Sequence, residues 1–169
     1  MILFMHGLLS NRIINTKYKN IRYENKICKT VHYHRRTYDE VSSFYDTLIK
    51  IHKPKLIVGH SMGGYWSIIK SNEHNIPCVA LNPYITPNRF GTFYDYNNLT
   101  KKHFNSNVNL HLESGDMLLD MDEIRIFAEM NNCNYQFLDG GSHFIKYTDK
   151  MNDFIELIIG DLDEKMYCI

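Results

Sequence analysis

The chain alternates short, wholly apolar runs with longer stretches in which apolar residues recur at helical spacing. Ile2–Met5 is the first such run, and it stops at His6-Gly7; a run of this kind suits a strand buried on both faces. After a polar stretch, residues 27–33 mix β-branched and aromatic side chains and read as a second strand. From Tyr38 to His52 the apolar residues Val41, Phe44, Tyr45, Leu48, Ile49 and Ile51 follow a helical spacing that Pro54 ends. Residues 55–59 predict a strand and 65–73 a helix. Cys78–Leu81 predicts a buried strand closed by Asn82-Pro83. Residues 84–107 are irregular, with prolines, asparagines and many aromatics. Val108–Glu113 predicts a strand, 120–131 a helix and 135–138 a last strand. Thr148 is placed to cap a final helix carrying Met151, Phe154, Ile155, Ile158 and Ile159.

Strands and helices thus alternate along the chain. That order predicts an α/β fold, with a mainly parallel sheet of about five to six strands and helices on both faces. No internal repeat or linker divides it, so residues 1–169 are expected to form one domain, with 84–107 inserted as a short cap. A chain of this length buries about 70% of the surface its unfolded form exposes and needs no disulfide or metal to hold it.

The chemistry concentrates at strand ends. Gly59-His60-Ser61-Met62-Gly63 fits G-x-S-x-G, with an apolar strand before it and a helical stretch after it. A serine on so sharp a strand-to-helix turn needs a strained backbone, and side chains on its close neighbours would clash, so glycines flank it. A plain tight turn is the alternative reading. A serine needs a base, and the base needs an orienting acid, which in this kind of fold follow in the order Ser, Asp or Glu, His. Asp116, in Ser114-Gly115-Asp116, follows one strand, and His143, after Gly140-Gly141-Ser142, follows the last. Ser61, Asp116 and His143 all fall beyond carboxyl ends of strands, where open parallel sheets gather their reacting groups. Asp120, Asp122 and Asp139 are rival acids; the first two sit in an expected first helical turn, where carboxylates favour the helix dipole.

Acyl transfer also needs an oxyanion hole. The backbone N–H of Met62, after the serine, and that of Leu8, after the first strand, are the expected donors. His6, Gly7 and His60 are expected to border the substrate. Tyr84, Phe90, Phe93, Tyr94 and Tyr96 crowd the inserted segment, either lining an acyl pocket or packing a lid onto the core; Tyr84 and Phe93 are the two placed at the substrate. A zinc site from His6, His60 and His143 has no ligand spacing to support it, so no metal and no cofactor is expected.

In their order along the chain, His6-Gly7, Val58-Gly59-His60-Ser61-Met62-Gly63-Gly64-Tyr65, Asn82-Pro83, Glu113-Ser114-Gly115-Asp116 with Leu119-Asp120, and Gly140-Gly141-Ser142-His143-Phe144 resemble the YqiA-like esterases, small bacterial α/β hydrolases. The resemblance spans residues 1 to about 154. It implies a compact α/β-hydrolase fold without the initial antiparallel strands, and activity on short acyl esters or thioesters.

Composition narrows the partners. Lys plus Arg and Asp plus Glu both count 19, for a formal net charge of zero, which gives no reason to expect nucleic acid or an anionic membrane surface as partner. Cys28, Cys78, Cys133 and Cys168 form no C-x-x-C pair, and neither a signal peptide nor a membrane-spanning run is recognisable. Free thiols and a cytoplasmic location are the expectation. The function expected is a serine esterase acting on a small-molecule acyl ester or thioester. A thioesterase or acyltransferase, and a catalytically silent binding protein of the same fold, stand as alternatives.

Overall fold

The computed structural model describes residues 1–8, 10, 11, 13, 15–89, 93, 95–101, 104 and 107–167. Its elements run β1 (Ile2–Met5), α1 (Thr16–Asn20), β2 (Lys26–Cys28), α2 (Tyr38–His52), β3 (Leu56–His60), α3 (Met62–His74), β4 (Cys78–Leu81), β5 (Val108–Glu113), α4 (Met121–Met130), β6 (Asn134–Leu138) and α5 (Thr148–Tyr167). The strands form one sheet in the order β2-β1-β3-β4-β5-β6, and every neighbouring pair is parallel. The register sets Met5 beside Gly59 and His60 beside Leu81, so the ends of β1, β3 and β4 lie side by side.

Strand alternation divides the interior into two cores. Leu3, Met5, Ile57, Ala80, Leu110 and Leu112 face α2, α3 and α4. Ile2, Phe4, Leu56, Val58, Val79 and Leu81 face the other way, against Met151, Phe154, Ile155, Ile158 and Ile159 of α5. Burial on both faces is why these strands read as continuous apolar runs. β5 differs: its second face carries Asn109, His111 and Glu113, all buried. Each has a partner there, Asn134 for Asn109, Gln136 for His111 and backbone N–H groups for Glu113, as burial of polar groups requires.

Three elements depart from the sequence expectation. The second strand stops at Cys28; Val31 and Tyr33 then leave the sheet and lock onto His6 instead, through Val31 N–H to Nε2 and the Tyr33 hydroxyl to the His6 carbonyl. α3 begins at Met62, at the serine itself, because the glycines that weaken a free helix are here packed against β1 and Pro83. α1 was not anticipated; five residues are too few to show a period, and Asn15 caps it by accepting from the Tyr18 N–H at 2.9 Å. α2 has a full capping box, Thr37 with Glu40.

In the inserted segment Phe93, Tyr96 and Leu99 are buried in the core on the α3 face. Tyr96 lies against Trp66, Tyr65 and Tyr38, with ring centroids at 5.6, 5.7 and 5.4 Å. Phe90, Tyr94 and Cys168 lie outside the described residues. The other three cysteines are buried free thiols, and no described helix is long and apolar enough to cross a membrane.

Trp66, fully buried among four tyrosine rings, joins α2, α3 and the inserted segment. Trp66→Ala leaves a cavity that is expected to cost about 4 kcal/mol. Thermal unfolding should show a melting temperature lower by roughly 10 °C.

Candidate active site

The turn from β3 into α3 is the sharpest feature of the backbone. Ser61 has φ 56° and ψ −118°, a conformation that L-residues avoid. It is pinned on both sides: its N–H donates to the Leu81 carbonyl at 3.1 Å, and its carbonyl accepts from the N–H groups of Tyr65 and Tyr84. A Cβ on Gly59 would run into the Gly63 carbonyl, and one on Gly63 into the Met5 carbonyl. The glycine spacing therefore reflects three backbone stretches crossing in contact. Ser61 sits at the N-terminus of the thirteen-residue α3, where the N–H groups of the first turn have no intrahelical acceptor and the dipole favours negative charge.

His143 lies on the loop between β6 and α5. Its Nδ1 donates to Asp116 Oδ2 at 2.7 Å. The other carboxylate oxygen, Oδ1, accepts from the N–H groups of Leu118 and Leu119 at 2.8 and 3.1 Å. Burial by itself would raise the Asp116 carboxyl. The hydrogen bonds from His143 and these two amides outweigh it and hold the group below the ordinary carboxylate value. The rival acids are engaged elsewhere. Asp120 caps α4, Asp122 pairs with Arg125, and Asp139 accepts from the Ser114 hydroxyl.

A cavity of about 600 Å³ opens beside this turn. Ser61 and His143 both line it, with Gly7, Leu8, Met62, His60 and Tyr84. Gly7 and Leu8 follow β1 and Ser61 follows β3. The cavity thus straddles the point where the strand order reverses, the usual ligand site of an open parallel sheet.

Two residues expected at the substrate are not brought to it. Phe93 is 2% exposed and packs edge-on against Tyr96 in the core. His6 is fully buried: its Nδ1 donates to the Gly7 carbonyl at 2.8 Å and its Nε2 accepts from the Val31 N–H at 2.9 Å. Burial lowers its pKa, outweighing the bond to the Gly7 carbonyl, which raises it. His6 therefore shapes the turn before Leu8 without facing the cavity. His60 faces the cavity but gives its Nε2 proton to the His143 carbonyl at 2.6 Å. Burial first, then the nearby Lys17 ammonium, push its pKa well below the ordinary histidine value. The nitrogens of these histidines are thus directed to separate partners and do not converge as ligands. Asp46, Glu73 and His74 do converge, within 4.8 Å, but the Lys70 ammonium already sits among them, 2.7 Å from Asp46 and 2.6 Å from Glu73.

Two residues that hold the site together were not read as such from the sequence. Glu113, at the end of β5, is fully buried and accepts from the N–H groups of Ser142, Lys146 and Tyr147 at 2.7–2.8 Å. These amides flank His143, so one carboxylate ties down the histidine loop. Burial would raise its pKa, but the bonds from His111 and the loop amides lower it overall. A Cβ on Gly141 would strike this carboxylate, and Gly141 has φ 77°, so the loop needs glycine there twice over. Asn82, at φ 38°, donates to Asp116 Oδ2 and the Ser142 carbonyl and accepts from the Glu113 N–H. The Asn82-Pro83 pair was visible as a strand end; its side-chain partners lie 31 to 60 residues away in sequence, so periodicity carries no signal of them.

The fold recurs in solved structures. An alpha/beta hydrolase from the metagenome of sediments of the Mar Chica lagoon in Morocco matches with a TM-score of 0.74 at 9% identity, over 96% of this chain and 91% of that one. Est1E from Butyrivibrio proteoclasticus, with ferulic acid bound, matches with 0.68 at 13% identity, over 94% and 89%. An S-formylglutathione hydrolase from Agrobacterium tumefaciens matches with 0.67 at 13% identity, over 95% and 83%. At such identities the likeness is one of fold, and that fold is the α/β-hydrolase fold. No curated protein sequence matches the chain. Residues 1–103 match the profile of an uncharacterised protein family, in agreement with the resemblance read from the motifs, and the chain belongs to that family, UPF0227.

Proposed function

We propose that this protein is a serine hydrolase that cleaves small carboxylic esters or thioesters through an acyl-enzyme on Ser61. His143 takes the Ser61 proton as the hydroxyl oxygen attacks the carbonyl carbon. Asp116 keeps the imidazole in its Nδ1–H tautomer and stabilises the imidazolium. The N–H groups of Met62 and Leu8 hold the oxyanion while the leaving alcohol or thiol takes the proton from His143. Water, deprotonated by His143, then attacks the acyl carbon and releases the acid.

The observation that carries this reading is the 2.7 Å bond from His143 to Asp116 at the edge of a cavity that the strained Ser61 also lines. An Asp116 carboxyl held low is ionised across the working range of a histidine base, as orientation of that base requires. Among the similar folds, one is named an S-formylglutathione hydrolase and another, Est1E, has ferulic acid bound. A cavity of about 600 Å³ suits a small acyl group. We take the whole chain as one domain of this enzyme, with the 84–107 segment as a short cap that brings Tyr84 to the cavity. Three buried cysteines in no disulfide suit a reducing cytoplasm as its place of action.

A fluorophosphonate probe should label the wild-type protein on Ser61 and leave Ser61→Ala unlabelled; a folded wild type that takes no label refutes the proposal. Asp116→Asn, which favours the wrong imidazole tautomer, is expected to lower kcat for para-nitrophenyl esters by about 10⁴-fold. Steady-state kinetics at neutral pH measures it, and a wild-type rate removes Asp116 from its role.

Glu113→Gln turns one of the two acceptor oxygens into an amide donor, so at least one of the three N–H groups loses its acceptor. We expect about 3 kcal/mol lost in denaturant unfolding at neutral pH, and a fall in kcat larger than any change in KM. The wild-type carboxyl titrates below its ordinary 4.5, so the unfolded chain binds its proton first as pH falls. Its stabilisation is full above that value and fades through the lower folded value. Glu113→Gln should therefore lose less stability on acidification than wild type; parallel pH–stability curves would contradict the assignment.

A further inference from the structure

The cavity has one charged wall that the proposed acyl chemistry leaves unused. Lys17, in α1, lines it and is only 7% exposed. By contrast Lys70, also buried, has Asp46 and Glu73 as anionic partners, and Lys55 has Asp163. Among the described residues no carboxylate pairs with Lys17. Its ammonium stands 4.8 Å from the centroid of the Phe144 ring, and burial lowers its basicity. An ammonium withdrawn from water without an anion is costly, and a cation–π contact returns only part of that cost.

The position makes the cost useful. Phe144 follows His143 directly and is itself a cavity wall, so the ammonium lies beside the segment that carries the proposed base. Lys17 also acts electrostatically on His60, the neighbour of Ser61. Polar residues Ser10, Asn15 and Thr16 share its side of the cavity, and the Asn15 amide donates to the Ser10 hydroxyl at 3.0 Å. Leu118, Leu119 and Met62 add apolar lining to the same cavity. A bound molecule thus meets both carbon surface and a single unneutralised ammonium.

We propose that Lys17 binds an anionic oxygen group, carboxylate or phosphate, on the ester or thioester that Ser61 attacks. The inference rests on the serine-hydrolase reading and adds the substrate class: acyl compounds carrying a negative charge at the end away from the scissile bond. The charge belongs either to the acyl part, as in the half-ester of a dicarboxylic acid, or to the leaving group, as in a phosphate-bearing thiol.

Two matched pairs distinguish these sources. Mono-para-nitrophenyl glutarate against para-nitrophenyl pentanoate places the charge on the acyl side. Butyryl coenzyme A against S-butyryl-N-acetylcysteamine places it on the leaving group. In one pair the anionic member should show kcat/KM about 10- to 100-fold above its neutral partner, the worth of a charged hydrogen bond. That ratio should fall to near one in Lys17→Met and Lys17→Gln and return in Lys17→Arg, whatever the absolute rates. No anionic preference in either pair, or a preference that Lys17→Met leaves intact, overturns the proposal. Fluorophosphonate labelling of each variant separates the two readings. A wild type that labels on Ser61 but shows no anionic preference sinks the Lys17 inference alone. A wild type that does not label sinks the serine reading and this one with it.

Discussion

Everything at the reacting end of the sheet depends on one backbone crossing, where the turn after β3 passes over β1. Ser61 stands at φ 56° only because Gly59 and Gly63 let three stretches of main chain touch, and because Leu81, Tyr65 and Tyr84 hold its peptide groups. Strain of this kind persists when the surroundings over-determine it. Here they do: the sheet register brings Leu81 beside His60, and the next helix starts at once. The same crossing that strains the serine also aims the first turn of α3 at the cavity.

The second half of the site is assembled by buried polar contacts rather than by chain geometry. Glu113 and Asn82 end neighbouring strands, and between them they hold Asp116 and the loop that carries His143. Buried networks of this type rigidify when every member is satisfied, and these members are. Asp116, the loop that carries His143 and two strand ends are therefore tied into one hydrogen-bonded unit. Glu113, which does not line the cavity, thus positions His143, which does.

Hydrophobic packing and charge divide the remaining work. Trp66 and its ring of tyrosines fasten the inserted segment to the side of the sheet, which leaves the cavity bounded mainly by strand-end loops and α1. The short α1 brings the Lys17 ammonium to the wall of that cavity.

The order of strands and helices, most of their limits, the glycine-flanked serine and its two distant candidate partners were legible in the amino-acid pattern. Burial on two faces, helical period and the steric needs of a sharp turn are local or periodic properties that leave a mark on neighbouring residues. The five-residue α1, the helix starting at the serine, the core position of Phe93, the inward role of His6 and the bracing by Glu113 and Asn82 were not legible. Each depends on a contact between residues far apart in the chain, and a buried glutamate looks like a surface one until the amides it receives are in place. Sequence therefore determined which groups are available for the chemistry. The tertiary structure alone decided which of them meet, because hydrogen bonds across strand ends depend on distance in space and leave no period along the chain.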